Sequence, residues 1–177
     1  MNRVSAQTDF SSVFTEAFPF EHEYDPEAQV LKMAAEHLPQ AFKLFAEDSR
    51  LKLDYLRDMT AKEEPEGEFF TVYNFASIEL KHVLMVIARV ADDLTVPSAT
   101  EYWDSANWME REVFDMFGIK FAGHPDLRRI YLEETVDFYP LRKSFKLEEV
   151  PNVGDLGGRE RELAKAKAKA RAREEKG

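Results

Sequence analysis

Between Trp103 and Phe145 the chain concentrates the side chains best suited to chemistry or recognition: Glu110, Arg111, Glu112 and Asp115, then His124, Asp126, Arg128 and Arg129, then Arg142 and Lys143. A helix is expected through the first group. It puts Trp103, Ala106, Glu110, Val113 and Phe117 on one stripe and Trp108, Arg111, Glu112 and Asp115 on other sides. Glu110 and Glu112 are two positions apart and point in nearly opposite directions, so a regular helix lets them neither chelate one metal nor share an acid–base role. Arg111 and Asp115, four apart, suit a helical ion pair worth about 0.2–0.5 kcal/mol when exposed. His124 is held away from helical geometry by Pro125 and sits beside Asp126. That dyad reads either as acid–base chemistry or a ligand, or as a turn histidine bonded locally, and the missing second histidine at motif spacing favours the turn. A hydrolase built on His124, Asp126 and a glutamate would lack both a recognisable nucleophile motif and metal-ligand spacing. Arginine suits bidentate pairing with carboxylates, so Arg128, Arg129, Arg142 and Lys143 serve either internal ion pairs or a partner's surface.

The elements that must position these residues are short. The period-2 run Phe18 to Tyr24, the turn chemistry of Asp25-Pro26-Glu27 and the run Ala28 to Met33 predict a hairpin, preceded by a short helix around Phe10 to Phe18. The rival reading makes Asp25 the N-cap of a helix with Pro26 in its first turn. Glu36 to Asp48 reads as a helix with Pro39 near its start and Leu38, Phe42 and Phe45 on its apolar stripe. Leu51 to Leu56 alternates as a strand with Leu51, Leu53 and Tyr55 on one side, and Thr60 to Glu68 reads as a solvated loop. Phe69 to Phe75 and His82 to Val90 predict an antiparallel pair, closed by Asp92, Asp93 and Pro97. The helix bearing the charged group runs from Ser98 or Thr100, capped by either hydroxyl, to Met116, and ends before Gly118. Ile119 to Leu147, punctuated by Gly123, Pro125 and Pro140, is expected to run over the surface without long elements.

Composition narrows the function classes. Forty-four per cent of the 177 residues are hydrophobic, enough for one sizeable core, and a formal net charge of -10 disfavours general nucleic-acid binding, which needs a basic surface. No cysteine is present, which removes disulfides, thiolate nucleophiles and cysteine ligands for zinc or iron–sulfur clusters and is compatible with a reducing compartment. The longest purely apolar run, Val83 to Ala88, is far short of the roughly 20 residues of a membrane-spanning helix. The first residues lack the pattern of a secretory signal, so the expectation is a protein that is cytoplasmic or peripherally bound to a membrane complex.

The blocks Glu110-Arg111-Glu112-Val113-Phe114-Asp115-Met116-Phe117-Gly118-Ile119, Gly123-His124-Pro125-Asp126-Leu127-Arg128-Arg129-Ile130 and Pro140-Leu141-Arg142-Lys143 closely resemble the signature of the 30 kDa subunit family of respiratory complex I. Val96-Pro97-Ser98 and Ala106-Asn107-Trp108 also fit. The likeness is detailed over residues 97 to 145 and looser back to about Leu38. One departure stands out: the family usually carries Gly-His before Pro-Leu-Arg-Lys, and this chain has Phe138-Tyr139. The resemblance implies an α+β fold, a mixed or antiparallel β-sheet packed with helices, followed by an extended surface segment and a C-terminal charged tail. It implies a non-catalytic hydrophilic peripheral-arm subunit of a proton-pumping NADH:quinone oxidoreductase, at the cytoplasmic face of the cell membrane, carrying no cofactor or metal. Its partners would be the 49 kDa-type neighbour, beside the quinone-reducing module, and other peripheral-arm subunits. The equivalent subunit of an energy-converting hydrogenase or a deazaflavin-cofactor dehydrogenase is the alternative. In either case Trp108, Glu110, Arg111, Glu112, Asp115, Phe117, Gly118, His124, Pro125, Asp126, Arg128, Arg129, Pro140, Leu141, Arg142 and Lys143 are the expected subunit interface, with Trp108, Phe117 and Pro125 as apolar anchors.

A domain over residues 1–150 is then followed by a linker and tail over 151–177. Residues 159–177 hold eight Lys or Arg against four Glu, a charge of about +4 that leaves about -14 for the body. Ala164 to Arg173 alternates alanine with a cation and offers no apolar face as a helix. It reads either as a solvated fraying helix or as an electrostatic contact to an acidic neighbour or anionic lipid.

Overall fold

The computed structural model describes residues 9–146. Two units divide at Lys143/Ser144, and the first holds every helix and strand described. The expected linker and basic tail lie outside the described residues.

Asp25 builds the first hairpin. Its Oδ1 accepts the N–H groups of Glu27 at 2.9 Å and Ala28 at 3.0 Å, closing the turn between β1 (His22–Asp25) and β2 (Val30–Ala34). The short helix expected before it is α1 (Ser11–Ala17), which buries Val13 and Phe14. A 3-10 turn leads from β2 into α2 (Leu38–Glu47), where Pro39 occupies the first turn without leaving an unmet N–H and Leu38, Ala41, Phe42 and Phe45 face inward.

Two expectations between residues 51 and 68 are corrected. Lys52 takes a positive φ of 41°, which breaks the extended run, so Leu51 and Leu53 are buried in a loop and the strand β3 begins at Tyr55. The parity therefore flips: Leu56 points into the core and Tyr55 is exposed. β3 (Tyr55–Glu63) also continues through much of the segment expected as loop. Met59 and Ala61 are buried while Thr60 and Lys62 face out, a period-2 pattern hidden in the sequence by the cluster of charges. The turn proper is Glu64 to Glu68, with Gly67 at φ 85°.

β3 pairs antiparallel with β4 (Phe69–Ala76), and β4 with β5 (Val83–Arg89), as the apolar runs predict. β5 then pairs in parallel with β2, giving a mixed sheet in the order β1-β2-β5-β4-β3. One sheet face, including Leu31, Tyr73, Phe75, Leu84 and Val86, joins the inward faces of the three helices in one core. The opposite face leaves Tyr55, Val83 and Met85 exposed.

The last helix, α3 (Ala106–Phe117), starts later than expected, and neither Ser98 nor Thr100 caps it. Residues 99 to 105 form successive turns, in which the Trp103 indole N–H donates to the Leu53 carbonyl at 2.9 Å and the Ser105 hydroxyl donates to the Leu56 carbonyl at 3.2 Å. The helix ends as expected at Gly118, which is left-handed at φ 74°. A small second sheet, not foreseen, pairs β6 (Thr95–Pro97) in parallel with β7 (Lys120–Ala122), in register Val96 to Phe121. Three residues per strand are too few to show a period.

An aromatic cluster fixes α2 and the approach to α3 over the sheet. Phe42 meets Tyr73 at 5.5 Å, Phe75 at 6.2 Å and Trp103 at 5.5 Å between ring centroids. Phe42→Ala is expected to lower stability by about 3–5 kcal/mol through the cavity it leaves. Urea unfolding checks this as a lower midpoint at unchanged slope.

Candidate docking surface

The last four carbonyls of α3 each find a donor. Phe114 O accepts from Gly118 N at 2.8 Å and Met116 O from Leu141 N at 3.1 Å. Asp115 O accepts from Arg129 Nη1 at 3.1 Å, and Phe117 O from Arg142 Nε at 2.6 Å. Two guanidinium groups thus sit at the negative end of the helix dipole, where positive charge is favoured.

The Asp115 side chain completes this arrangement. Fully buried, it accepts at Oδ2 from the consecutive backbone N–H groups of Ile130 at 3.0 Å, Tyr131 at 2.7 Å and Leu132 at 3.1 Å, while Oδ1 takes Arg129 Nη1 at 2.7 Å. Burial alone would raise the Asp115 pKa. The hydrogen bonds from Tyr131, Arg129, Leu132 and Ile130 outweigh it, and the carboxylate stands below its ordinary value. The helical Arg111–Asp115 pair expected from spacing does not form. Arg111 instead donates through Nε to the Arg128 carbonyl at 3.1 Å and lies 4.7 Å from the Trp108 ring centroid.

Arg129 Nη2 also reaches the carbonyls of Val136 at 3.0 Å and Phe138 at 3.3 Å. Tyr139 then lies against both guanidinium groups, 4.9 Å from Arg129 and 4.4 Å from Arg142. This ring occupies the space over Gly118. A Cβ there would meet the Tyr139 ring and Arg142 at 2.6 Å, so glycine is required by room as well as by φ. Phe138-Tyr139, the departure from the family pattern, is thereby built into the clasp.

Glu110 behaves differently. Fully buried, it accepts from Ala99 N at 2.6 Å and from the Ser98 hydroxyl at 2.7 Å, tying the 98–99 turn to α3. Burial raises its pKa to about 7 against the lowering effect of those two bonds. His124 is a turn residue. Its Nε2 lies 3.0 Å from the Asn107 carbonyl and its Nδ1 accepts Asp126 N at 3.0 Å, consistent with a neutral ring protonated at Nε2.

The expected interface residues therefore separate. Glu110, Arg111, Asp115, Phe117 and Gly118 are buried within the chain, and this corrects the expectation that they present charge or apolar anchors outward. Their roles are to join α3 to the residues around it. Arg129, with a side chain 7% exposed, belongs with them. His124, Pro140 and Arg142 are half-buried, whereas Trp108, Glu112, Pro125, Asp126, Arg128, Leu141 and Lys143 are exposed. Arg128 pairs with Asp126 at 2.9 Å, and Lys143 N donates to Glu63 Oε2 at 2.7 Å. Tyr131 is 67% exposed beside them, and nothing in its local spacing marks it.

The signature blocks and this geometry agree with comparison to known proteins. Residues 31–151 match the family described as the respiratory-chain NADH dehydrogenase, 30 Kd subunit. The chain belongs to that family. A relative from Chloroherpeton thalassium, named as the C subunit of NADH-quinone oxidoreductase, is 43% identical over 114 residues, covering 63% of this chain and 48% of that protein. One of the same name from Dinoroseobacter shibae is 48% identical over 100 residues, covering 55% and 46%. The chain thus spans about half the length of the curated relatives it matches. The α+β fold is also that of a chain in the archaeal membrane-bound sulfane sulfur reductase, at 24% identity and TM-score 0.62, covering 77% of this chain and 82% of that one. Among the described residues no helix is long and apolar enough to cross a membrane.

The opposite environments of the two carboxylates have measurable consequences. Arg129→Ala strands the buried Asp115 charge and is expected to cost about 3–5 kcal/mol, read by urea unfolding. Glu110, whose pKa rises from 4.5 to about 7 on folding, contributes stability that is fully present below pH 4.5 and lost as pH rises through 7. The loss amounts to about 3 kcal/mol. Glu110→Gln, which keeps an acceptor for Ala99 N, should flatten that slope between pH 5 and 8 in urea unfolding at several pH values.

Proposed function

We propose that this chain is a non-catalytic, hydrophilic peripheral-arm subunit of a proton-pumping NADH:quinone oxidoreductase, and that it braces the quinone-reducing module against the 49 kDa-type subunit. The observation that carries the reading is the match over residues 31–151, which spans the whole signature segment, together with relatives named as the C subunit of NADH-quinone oxidoreductase. The folded chain adds a physical reason. Asp115, Arg129 and Arg142 hold the segment after α3 in a fixed conformation, so the outward residues Trp108, Tyr131 and Leu141 are presented by a preorganised framework. The docking surface is then Trp108, Glu112, Pro125, Asp126, Arg128, Leu141 and Lys143, with Tyr131 added. The complex sits peripherally on the cytoplasmic face of the membrane. The equivalent subunit of an energy-converting hydrogenase or a deazaflavin-cofactor dehydrogenase has the same architecture. Relatives at 43% and 48% identity named for NADH-quinone oxidoreductase favour the first reading.

The test is purification of the tagged full chain from its native membranes after gentle detergent extraction, with mass spectrometry of what stays bound. The 49 kDa-type subunit and an NADH-oxidising module are expected. Hydrogenase-type or deazaflavin-type input subunits would favour the alternative, and the absence of any partner subunit would overturn the assignment.

A further inference from the structure

Trp108 is the one tryptophan at the surface, 64% exposed, while Trp103 is buried in the aromatic cluster. Trp108 and Glu112, four apart, share a ridge of α3, Glu101 and Asp104 lie in the turns that lead into it, and all four are exposed. Trp108 and Glu112 are about 6 Å apart in helix rise. Among the described residues Glu101, Asp104 and Glu112 enter no salt bridge. A groove of about 320 Å³ runs alongside, lined by Thr100, Glu101, Asp104, Asn107, Gly123 and Pro125, with two carboxylates and no Lys or Arg in its wall.

We propose that this ridge of α3 and its approach is the seat of a cationic segment of a neighbouring protein, an Arg- or Lys-bearing loop that lies in the groove with one cation over the indole of Trp108. The inference rests on the chain being a subunit of a larger complex, as proposed above. A large exposed indole is a costly surface to leave in water and a strong anchor when covered. One ring face is taken by Arg111, whose guanidinium is fixed by the Arg128 and Arg129 carbonyls. A second cation on the ring meets the Arg111 charge, and Glu112 on the same ridge with Glu101 and Asp104 in the approach offsets it. The same chain already places two guanidinium groups against one ring at Tyr139. An acidic partner would meet those carboxylates with like charge, and an aliphatic partner would have to strip water from them without replacing it.

The test uses the complex assembled in the native host, with Trp108 replaced by the photo-crosslinking residue p-benzoylphenylalanine. Irradiation and peptide mass spectrometry should find a crosslink to a peptide of net positive charge on a neighbouring subunit. A crosslink to an acidic, an uncharged apolar or a lipid target would overturn the proposal, and so would the absence of any crosslink in a complex that has assembled. In parallel, Glu112→Lys should weaken retention of the subunit about tenfold in a salt wash, and Glu112→Gln by less. Reversing the charge of the crosslinked cation to Glu should restore retention of the Glu112→Lys chain. Unchanged unfolding of the isolated Glu112→Lys chain separates docking from stability. Failure of the wild-type chain to bring down any subunit would instead refute the assignment to a complex and leave no partner for the ridge.

Discussion

The buried Asp115–Arg129 pair is the interaction on which α3 and the described segment after it depend. A carboxylate taken out of water is costly unless its lone pairs are met, and here three successive backbone N–H groups and a guanidinium meet them. The donors at residues 130 to 132 come from a segment with no regular structure, and backbone groups in such a segment need partners as much as those of a helix. One side chain on α3 supplies an acceptor for three of them. In return, Arg129 and Arg142 cover carbonyls at the helix end that would otherwise face the interior unpaired. Helix and segment therefore satisfy each other, and neither arrangement stands without the other.

This reciprocity explains why a dense run of charges contributes so little to the surface. Arg111, Asp115 and Arg129 direct their hydrogen bonds to the chain's own groups, and Gly118 is small because Tyr139 lies where a side chain would go. What remains outside is an indole, a few carboxylates, Pro125, Lys143, Arg128 already paired with Asp126, and the side chains of Tyr131 and Leu141. A signature of this kind identifies a fold more directly than it identifies a contact surface.

Most of the sheet was legible in the sequence. The Asp25 turn, the β4 and β5 runs and the α2 stripe each state their structure within about ten residues, and local chemistry decided them. The failures share a cause, which is distance. Spacing offered Arg111 to Asp115, yet Arg129, fourteen residues further on, took the carboxylate because only the folded segment brings it there. Ser98 looked like a cap because hydroxyls cap helices, and it is instead the donor to a buried glutamate twelve residues away. Lys52 at positive φ breaks the run so that Tyr55 and Leu56 exchange outside and inside, and nothing in that residue's type announces it. Among the expected anchors, exposure was the quantity the sequence could not supply: Phe117 and Trp108 look alike until one is found in the core and the other in solvent.

Glu110 and Asp115 show how one helix can hold two carboxylates in opposite states. Both are fully buried, so desolvation opposes both charges. The difference is the number and kind of donors: four contacts including a guanidinium for Asp115, against one N–H and one hydroxyl for Glu110. With a cation among its partners the first stays charged well into acid, and its stabilising bonds are lost only as pH falls through its lowered pKa. The second, with neutral donors only, is held up to about 7, so its protonated form is the more stable one on the acid side of neutrality. A hydroxyl can reverse its role from donor to acceptor when the carboxyl gains a proton, and Ser98, which also lies 2.7 Å from the Thr100 hydroxyl, has a second group to donate to. The turn at 98–100 can thus keep its hydrogen bonds in either state of Glu110. It is the electrostatic cost of the buried charge, rather than any broken contact, that makes the Glu110 region of α3 sensitive to pH near neutrality, while the Asp115 end responds only in acid.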